Sequence, residues 1–254
     1  MTGNLYIKEQ FNKQADRFNN WTVTRDERIH QSLCQFLSVG AEDRLLDLAC
    51  GTGAFAIYAA QRAKFVQCVD ISESMIEIAI ERARQLQLDN INFLCRDVEK
   101  VPFTDNSFQR VISKSAFHHM KNYPGVFKEM ARCCQKHGRI GLEDIIAYDD
   151  THLDQFFEEL ECTIDISHNW SLSRQEIINL YKQNEVRVLR LFESISLLNF
   201  TDYVNHAVQT AKDRDRINRL IRDGLNDSRI AQWLVTDNGI LFWKRKIITV
   251  VGEK

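Results

Sequence analysis

Nine residues, Leu45-Leu46-Asp47-Leu48-Ala49-Cys50-Gly51-Thr52-Gly53, join an apolar run to a glycine-rich turn. The run reads as a buried strand, and Ala54, Ala56, Ile57, Ala59 and Ala60 open a helix directly after it. Gly51 and Gly53 let the backbone turn sharply and bring a ligand against bare amide donors. The following helix N-terminus is aimed at any negative group held there. Such a turn binds a small anionic molecule. Gly51-Thr52-Gly53-Ala54-Phe55-Ala56 also fits the dinucleotide fingerprint with its permitted final alanine, and Asp70 stands about 20 residues on, where a ribose-binding acid is expected.

The wider neighbourhood separates two cofactor classes. Asp47 lies inside the strand end before the turn. A second run, Val66-Gln67-Cys68-Val69-Asp70-Ile71, ends in an acid and is followed by Ser72-Glu73-Ser74-Met75. A third run, Ile91 to Leu94, leads to Asp97-Val98 and then Pro102-Phe103. A fourth leads from Arg110-Val111-Ile112-Ser113-Lys114 to Ser115-Ala116-Phe117-His118-His119. With these four ordered stations the chain resembles the class I S-adenosylmethionine-dependent methyltransferases. Within them it is most similar to the small-molecule branch typified by the ubiquinone and menaquinone biosynthesis methyltransferases. The resemblance covers Phe11 to about Ile145 well and the remainder loosely.

That resemblance implies S-adenosyl-L-methionine as cofactor and S-adenosyl-L-homocysteine as product. The methionine end would lie over the backbone of Ala49, Gly51 and Gly53, with Asp47 and Ser115 on the same cofactor side. Asp70 would accept from both ribose hydroxyls through charge-assisted bonds. Ile71 and Met75 would cover one face of the adenine, Asp97 would accept from its amino group, and the Val98 amide would donate to a ring nitrogen. Met75 also belongs to an apolar series with Ile76, Ala79, Ile80 and Ala83 at helical spacing, so packing is expected of it too.

By the same resemblance the loop after the fourth strand faces the transferred methyl group, which places Ser115, Phe117, His118 and His119 near the acceptor. His119 or His118 is a candidate general base, because an unperturbed imidazole titrates near physiological pH. His168 is a third candidate. It closes Glu161-Cys162-Thr163-Ile164-Asp165-Ile166-Ser167-His168, which is similar to a family segment whose arginine and proline are here Ile164 and Ile166. Phe108-Gln109 and Gln135-Lys136-His137-Gly138 are further departures from the family pattern, and neither touches a cofactor station.

Short apolar runs alternate with helical patterns, which predicts an α/β fold: a Rossmann-like, mostly parallel seven-stranded sheet with helices on both faces. One domain is expected over 1–254, with an N-terminal helical cap at 1–40 and a cofactor-binding core at 41–146. In the cap, Phe11, Ala15 and Phe18 read as a short helix, and Ile29, Leu33, Phe36 and Leu37 as the next. Later strands are read at Arg139 to Ile145, Glu185 to Glu193 and Leu241 to Val250. Ser173-Arg174-Gln175-Glu176 reads as a capping box. A helical insertion at 199–238 carries two apolar stripes. Together with the N-terminal helices it is read as a lid over the acceptor site or a contact with a second subunit, in a homodimer.

Composition narrows the partners. A 254-residue chain with 44% hydrophobic residues can bury one substantial core, and a formal charge of −2 gives no case for wholesale nucleic-acid binding. Lys244-Arg245-Lys246 reads as a solvated strand or sheet edge. The seven cysteines lack metal-ligand spacing, so no metal is expected, and they read as reduced thiols. No run is long enough for a membrane span, and Met1 to Asp16 is too polar for a secretory signal, so a cytoplasmic address is expected. The partner is then a small-molecule substrate, methylated at oxygen, nitrogen or carbon by in-line displacement. Two other readings stay open: a protein that binds the cofactor without methyl-transfer turnover, and an NAD-dependent dehydrogenase.

Overall fold

A computed structural model of the chain describes residues 3–21 and 26–254. The parts of the expected N-terminal cap at 1–2 and 22–25 lie outside these. Two helices, α1 (Gly3–Asn20) and α2 (Glu27–Leu37), precede the sheet. Then β1 (Arg44–Leu48), α3 (Ala54–Ala60), β2 (Phe65–Asp70), α4 (Glu73–Gln85), β3 (Ile91–Cys95) and β4 (Phe108–Lys114) alternate. A 3-10 turn, Phe117–His119, leads to α5 (Tyr123–Cys133), β5 (Cys134–Ile145), α6 (Thr151–Ile164) and α7 (Arg174–Gln183). The chain ends with β6 (Arg187–Asn199), α8 (Phe200–His206), α9 (Ala211–Asn226), β7 (Leu234–Asp237) and β8 (Ile240–Glu253).

The strands form one sheet in the order β3-β2-β1-β4-β5-β8-β6, with β7 paired to β8. Pairing is parallel from β3 through β5 and antiparallel from β5 onward. The β1 run Leu45, Leu46 and Leu48 is fully buried, as a strand covered by helices on both faces must be. One core cluster packs α5 and α7 on one face of the sheet, and a second packs α2 and α3 on the other. A third joins α6, α8 and Trp243 near the C-terminal half of the sheet.

Among the described residues the sheet holds the expected seven strands in one path and an eighth beside it. The eighth, β7, falls inside the segment read as helical. Its signal is Asn238-Gly239, a two-residue hairpin turn with φ of 48° and 78° that sets β7 against β8. β6 runs to Asn199, past the expected end at Glu193, because β8 continues to pair with it as far as Phe242. α1 has 18 residues, so it is not short. Gln10 and Gln14 are buried on its inner face and interrupt the apolar periodicity that would have shown its length. The capping box at Ser173 and Glu176 forms as read.

Candidate active site

The chain after β1 enters the left-handed region three times, at Ala49 (φ 60°), Gly51 (54°) and Gly53 (72°). Glycine takes this conformation freely, whereas Ala49 is strained by about 1–2 kcal/mol. Ser115, just past β4, is a second non-glycine residue of this kind at φ 52°. Both lie at the carboxyl ends of neighbouring parallel strands and on the wall of one cavity, where open α/β sheets bind ligands. The cavity measures about 570 Å³.

Its first half gathers the predicted cofactor residues. Asp47, Ala49, Gly51, Asp70, Ile71, Met75, Asp97, Val98 and Ser115 all line it. Gly53 does not. It caps α3, and a Cβ there would stand 3.0 Å from that of Ala79, so its lack of a side chain serves helix packing. Asp70 ties the turn to β2, accepting from the Gly51 amide at 2.8 Å and the Ser72 amide at 2.9 Å. A carboxylate with two such bonds retains lone pairs for further donors. Asp97 accepts from the Asn4 side chain and from the Glu99 amide at 3.0 Å, so the first turn of α1 is pinned over this end.

Asp47 is buried and its Oδ1 has no hydrogen-bond partner. Burial pushes its carboxyl up to about 8, the Lys114 ammonium opposing and the Asp70 carboxylate adding. An orphaned buried acceptor on a cavity wall fits the α-ammonium of an amino-acid ligand, and the left-handed turn beside it leaves amides open to a carboxylate. The residues present therefore fit an amino-acid-bearing nucleoside.

The second half of the cavity brings His118, His119 and His168 together, with ring centroids 4.0 Å apart for the first pair and 5.4 Å for His118 and His168. Asp144, at the end of β5, organises the loop. It accepts from the amides of Ala116 (3.1 Å), Phe117 (2.6 Å) and Ile145 (2.7 Å), and from His118 Nδ1. Burial works to raise the Asp144 carboxyl, but His118 and the amide donors outweigh it and hold it below its ordinary value. An ionised carboxylate can only accept, so His118 carries its proton on Nδ1 and presents Nε2 as a base. Nε2 makes no hydrogen bond among the described residues.

The other two imidazoles are committed differently. His119 meets Ser167 Oγ at 3.2 Å and the edge of Phe11, and burial with the adjoining His118 lowers its pKa to about 3. His168 Nε2 bonds Glu158 at 3.0 Å. Burial opposes its protonation, yet Glu158 and Glu161 win and raise it. Phe117, expected near the acceptor, instead packs in the core against Phe127 and does not line the cavity.

Several wall residues were not singled out by sequence. A cross-strand row of Lys114, Glu143 and Thr249 follows the β4-β5-β8 register, with Lys114 to Glu143 at 3.5 Å. Beyond it lie Tyr203 and His206 of α8, Glu161 of α6 and Arg245 of β8. The Lys244-Arg245-Lys246 run is not a solvated edge. β8 is interior to the sheet, and alternation buries Arg245 while Lys246 reaches Asp149 at 3.0 Å on the other face. α1 spans the cavity, bonded to Asp97 at one end and through Arg17 to the Ala207 carbonyl at the other.

A doubly wound sheet with a glycine-rich turn and acid-ended strands at its carboxyl edge is the architecture of the class I S-adenosylmethionine-dependent methyltransferases. The methyltransferase domain family matches residues 40–194, and the chain belongs to it. Membership sets the dehydrogenase reading aside. The chain is 27% identical over 176 residues to the uncharacterized methyltransferase YcgJ of Bacillus subtilis, covering 69% of this chain and 70% of that one. The crystal structure of YcgJ superimposes with a TM-score of 0.83 at 22% identity, over 90% of this chain and 98% of that. A demethylmenaquinone methyltransferase of Tropheryma whipplei is 28% identical over 138 residues, covering 53% of this chain and 56% of its own length. Geranyl diphosphate C-methyltransferase from Streptomyces coelicolor A3(2), solved with Mg2+, geranyl diphosphate and S-adenosyl-L-homocysteine, shares the fold at 15% identity. Its TM-score is 0.64, over 90% of this chain and 78% of that. No helix among the described residues is long and apolar enough to cross a membrane.

Proposed function

We propose that the chain methylates an oxygen, nitrogen or carbon atom of a small molecule seated beside His118, using S-adenosyl-L-methionine. When bound, the cofactor supplies a methyl group already activated on sulfonium sulfur. Ala49 and Gly51 would hold its amino-acid end with Asp47 opposite the ammonium, Asp70 its ribose, and Ile71, Met75, Asp97 and Val98 its adenine. Gly53 contributes through the set of α3. His118 takes the acceptor's proton on Nε2 where the acceptor has one to lose, and Asp144 stabilises the imidazolium that results. His119, with its depressed basicity, and His168, engaged by Glu158, shape the chamber instead. α1 and α8 act as the lid that excludes water, whereas α9 packs on α6 and contributes nothing to the cavity wall among the described residues.

One observation carries this reading: a single cavity runs from the Gly51 and Asp70 cradle to His118, whose Nδ1 is bonded to Asp144 behind the wall. The test is release of S-adenosyl-L-homocysteine with a broad panel of phenolic, amine and enolisable acceptors, beside calorimetric binding of the cofactor. Turnover with any of them is expected. Tight binding with no turnover across the panel would favour the binding-protein reading.

A further inference from the structure

Arg245 is 9% exposed and projects from the interior strand β8 onto the cavity wall. Its guanidinium lies 4.7 Å from the centroid of the Tyr203 ring and 5.9 Å from that of Trp243. Nη1 donates to Glu161 Oε1 at 3.3 Å, and Glu161 also accepts from the Tyr203 hydroxyl. Nε, by contrast, is buried without any hydrogen-bond partner, and Nη2 makes none among the described residues. Buried polar groups are nearly always satisfied, so an orphaned donor on a charged side chain requires an account.

Nε and Nη2 carry parallel N–H bonds along one side of the guanidinium plane, the side that matches the two oxygens of a carboxylate. Glu161 occupies the opposite corner. The surrounding wall combines rings with hydroxyls: His206 stacks between Trp21 and Tyr203 at 4.7 Å from each, Ile247 follows Arg245 on the same strand face, and Ser196 and Ser194 of β6 stand across from these two. The methionine carboxylate of the cofactor is not the partner. β8 stands three strands from β1 in the sheet order, about 14 Å at ordinary strand spacing, so Arg245 faces the acceptor end.

We propose that Arg245 is the anchor for a carboxylate on the acceptor, and that the chamber takes an apolar, planar organic acid. Glu161 and Tyr203 hold the guanidinium flat, Nε and Nη2 grip the acid side-on, and the aromatic wall covers the carbon frame. The assignment rests on the methyl-transfer reading for the acceptor's role, and the test keeps the two apart.

Binding of S-adenosyl-L-homocysteine is measured first, by calorimetry. The loaded protein is then titrated with benzoate, naphthoate and phenylpropanoate and with their neutral amides. Acids are expected to bind about ten- to a hundredfold more tightly than amides, the range of a hydrogen bond to a charged group. The preference should vanish in Arg245→Met. It should vanish equally in the double variant Glu161→Gln with Arg245→Met, which leaves no unpaired carboxylate behind and guards against a folding defect. S-adenosyl-L-homocysteine affinity should hold in both. Equal affinity for acid and amide in the wild type, no binding of any acid, or a preference that survives Arg245→Met overturns the assignment. Failure of the homocysteine nucleoside to bind removes the cofactor reading instead, and the same acid-against-amide contrast on the unloaded protein still decides Arg245.

Discussion

Residues at the carboxyl edge of the sheet divide into those that hold a ligand and those that hold another residue. Asp144 belongs to the second group: it holds His118, and in the proposed mechanism it would act only through that ring. Asp144→Asn preserves size but presents an amide where a carboxylate fixed the tautomer. Turnover should fall by about a hundredfold or more, with S-adenosyl-L-homocysteine affinity and far-ultraviolet circular dichroism unchanged. Wild-type turnover in that variant would leave the loop without a base. Asp47 makes a separate prediction about stability. Its folded pKa, about 8, lies above the ordinary 3.8, so the native state keeps a proton that the unfolded chain releases. The group's contribution is complete below about pH 4 and is lost as pH rises toward about 8. Asp47→Asn should flatten that loss in urea titrations of the ligand-free protein, and an unchanged slope would mean the carboxyl is already ionised.

Elements set which of these side chains meet. β1, β2 and β4 end side by side because they pair in parallel, and that alone delivers Asp47, Asp70 and the Ser115 loop to one rim. α7 lies on the opposite face, where its capping box satisfies amides at the helix start and Ile177, Leu180 and Tyr181 enter the core. Ser173→Ala removes the bond from the Glu176 amide to Ser173 Oγ and the one from that hydroxyl to the Glu176 carboxylate, leaving the backbone half of the box, and should lower unfolding free energy by about 0.5–2 kcal/mol in urea. Cofactor affinity should not change, since α7 contributes nothing to the cavity wall among the described residues. A coupled loss of affinity would show that α7 and the rim unfold or move as one unit.

For the whole molecule, the proposed function makes α1 a lid that the bound cofactor would tie to the sheet. α1 bridges Asp97 and Ala207, and a nucleoside beneath it touches only the folded state. S-adenosyl-L-homocysteine at a hundred times its dissociation constant should add about 2.7 kcal/mol, a rise of about 5 to 11 °C in the thermal midpoint. Asp70→Ala should weaken binding by about 1 to 3 kcal/mol and shrink the shift at the same ligand concentration. A full shift in that variant would place the ribose elsewhere.

The sequence by itself determined the parts whose physics is local. The apolar run into Gly51 and Gly53, the acids at strand ends and the Ser173 capping box depend on backbone conformation and near neighbours, so residue type and spacing expose them. It also named His119, His118 and His168 with His119 foremost, whereas the contact of His118 with Asp144 and the depressed basicity of His119 favour His118. Only the tertiary structure decided that Asp144 orients His118, that Glu161 and Tyr203 brace a buried Arg245, and that Phe117 and Gly53 serve packing. Those pairings join residues from strands and helices far apart in the chain. A basic run such as Lys244-Arg245-Lys246 carries no mark of burial until the sheet order puts β8 inside.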